Sequence, residues 1–152
     1  MEKTSRQLVS EEADVTREPP IAATLTKREK LERWSALLAA DSNRILRTFE
    51  PTEYVNLAER NGMRCEGTAL SVAHSDPVLR DAGLHDDTFG TGKRFFGLTD
   101  DELHCIVCYC HHGRAVRAGL IANVIRTFTP RPPQPSLITR AWRLFGLRSG
   151  VA

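Results

Sequence analysis

Residues Thr99 to Gly113 have the sequence TDDELHCIVCYCHHG, and this stretch decides the fold prediction. Thr99 and Glu102 have the spacing of a capping box, in which each side chain bonds the other residue's backbone amide at a helix start. The acidic residues of the first turn suit the positive end of the helix dipole. Gly113 suits the left-handed residue that closes many helices. We therefore predict one continuous helix near residues 100–112.

The same stretch has two chemically different faces when it is wound at about 100° per residue. An apolar stripe, which we predict to face the core, contains Leu103, Ile106, Val107 and Cys110. The opposite side contains the remaining potential metal ligands: His104, Cys105, Cys108, His111 and His112.

Three of the four cysteines and three of the five histidines of the chain lie between His104 and His112. Thiolate and imidazole are the usual ligands of zinc in closed protein sites. We predict a structural or sensing metal, with zinc favoured, held by a non-enzymatic protein. The predicted ligands are Cys105, Cys108, His111 or His112, and a more distant residue, for which Cys65, His74 and His85 are candidates. One helix supplies few ligands, so a site shared between two chains of a homo-oligomer is an alternative.

Two other interpretations of these cysteines stay open. Free cysteine is among the most buried residue types, and all three could pack between helices as small apolar groups. Cys105 and Cys108 also have the spacing of a redox pair, which predicts a thiol redox enzyme. They would lie inside the helix, whereas reactive thiols favour a helix N-terminus.

A metal-dependent hydrolase is a further alternative. His85-Asp86 resembles the dipeptide after which the helical HD phosphohydrolases are named. The resemblance covers two adjacent residues in a glycine-rich stretch, where carboxylates commonly bond turn amides. It would imply metal-assisted hydrolysis with these two residues as ligands.

The composition is that of an ordinary globular domain, because 41% of the 152 residues are hydrophobic and 26% are charged. No apolar run approaches the roughly 20 residues that span a bilayer. The first residues are polar and charged rather than apolar, so we expect no secretory signal and a cytoplasmic protein. Thiols stay reduced in that compartment, which disfavours a disulfide framework.

We predict an all-α fold, a small single-domain helical bundle with flexible N- and C-terminal tails. We predict that residues 1–25 form a disordered N-terminal tail and that residues 26–128 form the helical domain. A capping box at Thr26 and Glu29 opens a helix that runs to about Ala40. A second helix is expected around residues 45–49 and a third from Pro51 to Gly62, because Pro favours a first helical turn.

The middle of the chain has weaker signals. Residues 69–74 alternate in polarity and predict a short strand, and Pro77 begins a short helix that Gly83 closes. Residues 84–97 are glycine-rich and predict a connecting loop. Beyond Gly113 a last helix is expected to include Val116, Leu120 and Val124.

Charge is divided unevenly along the chain. No Asp or Glu follows Glu102, whereas seven arginines do, so residues 1–102 carry 14 basic and 19 acidic groups. Residues 129–152 form a proline-rich linker and a basic C-terminal tail, in which Trp142 and Phe145 lie among arginines. Such a tail predicts a binding module for an anionic partner, either a membrane surface or nucleic acid.

Overall fold

The computed structural model describes residues 24–50 and 56–132. Its elements, in chain order, are α1 (Lys27–Ala40), β1 (Ile45–Arg47), α2 (Leu57–Gly62), α3 (Ala69–Ser75), α4 (Pro77–Asp81), α5 (Phe89–Phe96), α6 (Asp100–Val107), α7 (Tyr109–His112), β2 (Ala115–Arg117) and α8 (Ala118–Phe128). Pro51, where the third helix is predicted to start, lies outside these residues, and so does most of the two predicted tails. The domain boundaries at residues 26 and 128 stay predictions.

Helix α1 begins where its capping box predicts. The Thr26 hydroxyl accepts from the Glu29 amide, and the Glu29 carboxylate accepts from the Thr26 amide at 2.7 Å. Three apolar side chains of α1 are buried, and α1 packs beside α8. These residues are Leu31, Trp34 and Leu38.

Trp34 lies at the centre of the core. Its ring stacks on Phe96 with 4.2 Å between centroids, and its indole N–H donates to the Ala69 carbonyl at 2.9 Å. One side chain thus joins α1, α3 and α5 while its polar atom stays bonded. The prediction of a small, mainly helical single domain is confirmed.

Two short strands lie where the sequence predicted helices. β1 pairs antiparallel with β2, and Leu46 lies opposite Val116. Leu46 and Val116 are buried, while the residues on either side of each are exposed. The helix predicted around residues 45–49 is therefore wrong, because pairing with a segment about 70 residues away supplies these backbone hydrogen bonds. The helix predicted after Gly113 begins only at Ala118, beyond β2.

Two helices lie where other structure was predicted. Residues 69–74 belong to α3, whose start is capped by Thr68, so the strand prediction is wrong. The predicted loop contains α5, which Thr88 caps and Gly97 ends in the left-handed conformation at φ 62°. Gly92 is buried within α5, and a Cβ there would lie 2.5 Å from a Leu70 methyl carbon. This glycine therefore serves close packing of α5 on α3 rather than a loop.

The short helix after Asp76 is confirmed, with the Asp76 side chain accepting from the Leu79 amide. Among the residues described here, no helix combines the length and apolar character needed to cross a bilayer.

Candidate metal centre

Helix α6 begins as predicted and ends early. The Glu102 carboxylate accepts from the Thr99 amide at 2.8 Å, and the Thr99 hydroxyl accepts from the Glu102 amide at 3.2 Å. Cys108 then takes an extended conformation, with φ −86° and ψ 143°. The prediction of one intact helix over 100–112 is therefore wrong at Cys108, and α7 is a separate four-residue turn.

Phe49 causes this break. Its amide donates to the Val107 carbonyl at 2.8 Å, and its carbonyl accepts from the Tyr109 amide. Phe49 and Cys108 consequently form a parallel β-bridge. Because a backbone group bonded across this bridge does not continue the helical ladder, the chain changes direction at Cys108.

The change of direction reverses the predicted exposure of two cysteines. Cys108 has 1% of its surface exposed, whereas Cys110, predicted on the core stripe, is exposed. Leu103, Ile106 and Val107 are buried, as their positions on the apolar stripe predict. The helical wheel thus holds for α6 and fails beyond it.

Three potential ligands converge at this break. One donor atom each from His104, Cys108 and Cys110 lies within 4.8 Å of the other two. The Cys110 Sγ atom lies 3.2 Å from the Cys108 Sγ atom and 4.0 Å from His104 Nδ1. We call these three residues the thiol–imidazole cluster.

The cluster has nearly the dimensions of a zinc site. Tetrahedral zinc with usual bond lengths separates two sulfurs by about 3.8 Å and a sulfur from a nitrogen by about 3.6 Å. The observed separations of 3.2 Å and 4.0 Å differ from these values by roughly half an ångström. Two of the three separations thus lie close to those of a zinc site, and the third, between His104 and Cys108, lies within 4.8 Å.

The other sequence-predicted ligands lie beside this cluster or away from it. Cys105 Sγ lies 3.7 Å from His111 Nε2, so these two residues form a separate pair. His112 Nε2 lies 2.6 Å from the Cys105 carbonyl oxygen. Cys65 is fully buried in the hydrophobic core and is not among the converging ligands. Of the predicted set, only Cys108 belongs to the cluster.

Electrostatics favour a neutral imidazole in the cluster. Burial lowers the pKa of His104, and electrostatic interactions with Arg60 and His111 lower it further, against an opposing effect of Asp101. A neutral ring keeps a nitrogen lone pair available to a metal at physiological pH.

The pKa of Cys105 is raised, in contrast to that of His104. Burial raises the pKa of its thiol, and nearby Asp101, Cys110 and Glu102 raise it further. A thiol with a raised pKa forms less of the reactive thiolate. The Cys105–Cys108 redox interpretation therefore has no electrostatic support on the Cys105 side.

The His85-Asp86 dipeptide has a local structural role. The Asp86 carboxylate accepts from the Thr88 amide at 2.8 Å and from its hydroxyl at 2.7 Å. These bonds with Thr88 lower the pKa of Asp86. They hold the turn that leads into α5. The His74 Nε2 atom lies 3.3 Å from the His85 carbonyl oxygen.

His104 and Cys110 were not among the candidate ligands selected from the sequence, for an identifiable reason. The helical wheel placed Cys110 with the core residues, and His104 was not selected from the polar face. The signal that could have found them is the pairing of an i, i+4 His-Cys spacing with Cys-x-Cys. That signal has meaning only once the helix ends at Cys108.

Comparisons of the chain with protein-family models, curated proteins and solved structures gave no match. Function is therefore inferred from the geometry of the thiol–imidazole cluster.

Proposed function

We propose that this domain binds one exchangeable zinc ion at the thiol–imidazole cluster. Cys108 and Cys110 supply thiolates, and His104 supplies its Nδ1 atom. The observation that carries this proposal is the convergence of three ligand atoms within 4.8 Å of one another. Two soft sulfur ligands and one imidazole are a set that suits zinc.

The number of ligands favours exchange over a purely structural role. Closed structural sites use four protein ligands, whereas sites with three leave a position for water or another molecule. Cys110 is exposed and His104 is half-buried, so one side of the cluster faces solvent. We therefore propose a sensing or metal-handling role, in which zinc enters and leaves from that side.

The fold holds two of the ligands and leaves the third adaptable. The Cys108 amide donates to the His104 carbonyl at 2.9 Å, which ties these two residues together across one helical turn. The Phe49 bridge fixes the backbone beside Cys108. Cys110 lies on α7, which has no buried residue, so it can adjust its sulfur to the ion.

The test is zinc binding by the full chain without a histidine tag, kept reduced, with competition against a chromogenic chelator. We expect one equivalent of zinc. Replacing Cys110 with serine, or His104 with glutamine, should weaken binding by more than about 100-fold, since even losing a group that supports a ligand costs 10–100-fold. Binding should release protons, because thiols must ionise to bind.

Cys105→Ser is the matched control. It removes a neighbouring thiol that pairs with His111 and lies outside the cluster, so zinc affinity should stay within a few-fold of the original. Loss of binding in Cys105→Ser with retention in Cys110→Ser would instead assign the metal to the Cys105–His111 pair. A reduced chain that takes up no zinc would reject the proposed function.

A further inference from the structure

The two sulfurs of the cluster are close enough to react with each other. None of the four cysteines is in a disulfide, and the Cys110 S–H donates to Cys108 Sγ at 3.2 Å. A disulfide requires about 2.05 Å between sulfurs, so the pair must approach by roughly 1.2 Å.

The approach can be made by α7. This helix has four residues and none of them is buried, while Cys108 is fixed by its bond to His104 and by the Phe49 bridge. Few packing contacts must therefore change when Cys110 moves toward Cys108.

We propose that Cys108 and Cys110 form a reversible disulfide that controls the metal site; this inference rests on the proposed zinc-binding function. The oxidant is a small-molecule disulfide of the glutathione class. In the disulfide both sulfurs lack the charge that binds zinc, and His104 alone would remain as ligand. Oxidation therefore releases the ion, and a thiol reductant restores the site.

The reaction proceeds by two exchanges. The Cys110 thiolate attacks one sulfur of the glutathione disulfide, so that a mixed disulfide forms and one glutathione thiolate leaves. The Cys108 thiolate then attacks the Cys110 sulfur and displaces the second glutathione. In the zinc-free chain each attacking thiol gives its proton to solvent, whereas in the zinc-loaded chain the thiolates are already ionised and Zn²⁺ leaves in place of those two protons. Each leaving glutathione thiolate takes up one proton from solvent. The protein loses two electrons together with two protons or one zinc ion, and the oxidant becomes two thiols.

Exposure sets the order of the two exchanges. Cys110 is exposed and can meet a tripeptide, whereas Cys108 is 1% exposed and cannot. The buried sulfur is thus the resolving thiol. Its position 3.2 Å from the attacked sulfur makes the second step intramolecular and favours it over accumulation of the mixed disulfide.

The experiment uses the full chain, both zinc-loaded and zinc-free, in buffers with increasing ratios of oxidised to reduced glutathione. Free thiols are then blocked, and intact mass reports disulfide and glutathione adducts while a chromogenic chelator reports released zinc. We expect zinc release to parallel the loss of two thiols, and dithiothreitol to reverse both. In Cys105→Ser, chymotryptic cleavage after Tyr109 should give two fragments that stay joined by the 108–110 bond.

Variants of the zinc-free chain distinguish the attacking thiol, Cys110, from the resolving thiol, Cys108. Cys108→Ser should trap the glutathione adduct on Cys110, because the resolving thiol is gone. In Cys110→Ser, Cys108 should stay unmodified under the same conditions, because its sulfur is buried. A Cys108→Ser chain that carries no adduct would overturn the order of attack and with it the proposed switch.

The two proposals fail in different ways. A chain that binds zinc under reducing conditions but keeps both thiols at the highest oxidant ratio overturns the switch and leaves the zinc site. A chain that forms the 108–110 disulfide but binds no zinc when reduced overturns the proposed function, and the control of a zinc site fails with it.

Discussion

Replacing Asp76 with asparagine should measure the ion pair that joins α1 to the start of α4. The Arg33 guanidinium donates to both Asp76 carboxylate oxygens, at 2.8 Å and 2.9 Å. The same carboxylate accepts from the Leu79 amide at 3.0 Å and caps α4. Asparagine caps helices as well as aspartate does, so this substitution removes the charge and keeps the cap.

The magnitude follows from the exposure of the two partners. A hydrogen bond to a charged group contributes about 1.5–3 kcal/mol, whereas exposed ion pairs contribute about 0.2–1 kcal/mol. The Asp76 side chain is 7% exposed and that of Arg33 is 40% exposed, so screening reduces the contribution. We expect Asp76→Asn to lower the free energy of unfolding by about 1 kcal/mol. Asp76→Ala also removes the cap and should lower it by about 2 kcal/mol.

The assay is urea denaturation of the reduced, chelator-treated full chain, followed by far-ultraviolet circular dichroism. In a separate thermal melt, a loss of about 1 kcal/mol should lower Tm by roughly 4–8 °C for a domain of this size. Asp81→Asn is the matched control, because it removes the same charge from an exposed position on α4. Its effect should stay within about 0.5 kcal/mol.

The same ion pair predicts a dependence on pH. The Arg33 hydrogen bonds lower the pKa of Asp76 in the folded state. A carboxyl with a lowered folded pKa stabilises the fold above its unfolded pKa of about 3.9 and loses that contribution as pH falls through the folded value. The stability difference between the original chain and Asp76→Asn should thus be full at pH 7 and shrink below about pH 4. Equal stabilities at pH 7, or a difference unchanged in acid, would refute the reasoning.

Two further predictions concern packing and the C-terminal segment. Gly92→Ala should lower stability by about 1–2 kcal/mol, because its Cβ would lie 2.5 Å from buried Leu70; Gly62→Ala, which has nothing within 4 Å, should be neutral or stabilising in the same urea titration. A truncation after Thr129 should lose salt-sensitive binding to anionic vesicles or nucleic acid, because it removes four of the seven arginines that follow Glu102. Trp142 fluorescence in the full chain reports that binding. Equal binding by the full and the truncated chain would show that the tail does not carry the interaction.

Helix starts could be predicted because their causes are local. At Thr26 and at Thr99 a side chain bonds an amide three residues away, and both capping boxes lie where the sequence places them. The apolar stripe of α6 is local in the same sense, since its members are separated by one helical turn. These features predicted a mainly helical domain without knowledge of any tertiary contact.

Short strands could not be predicted in this way. Three residues are too few to establish a period of two, and Leu46 finds its partner Val116 only after the chain has folded. The glycines near position 92 carried an equally ambiguous signal, because glycine marks loops as well as places where helices approach closely. Only the position of Leu70 shows which meaning applies.

Part of the candidate site follows from the sequence, and part of it only from the tertiary structure. The sequence by itself determined that cysteine and histidine are concentrated between residues 104 and 112, and that a capped helix begins the segment. Which of these side chains meet was decided by Phe49, a residue far away in sequence whose backbone bonds Val107 and Tyr109. Those nonlocal hydrogen bonds end the helix at Cys108 and bring Cys110 to His104, because a backbone group bonded across the bridge no longer serves the helix.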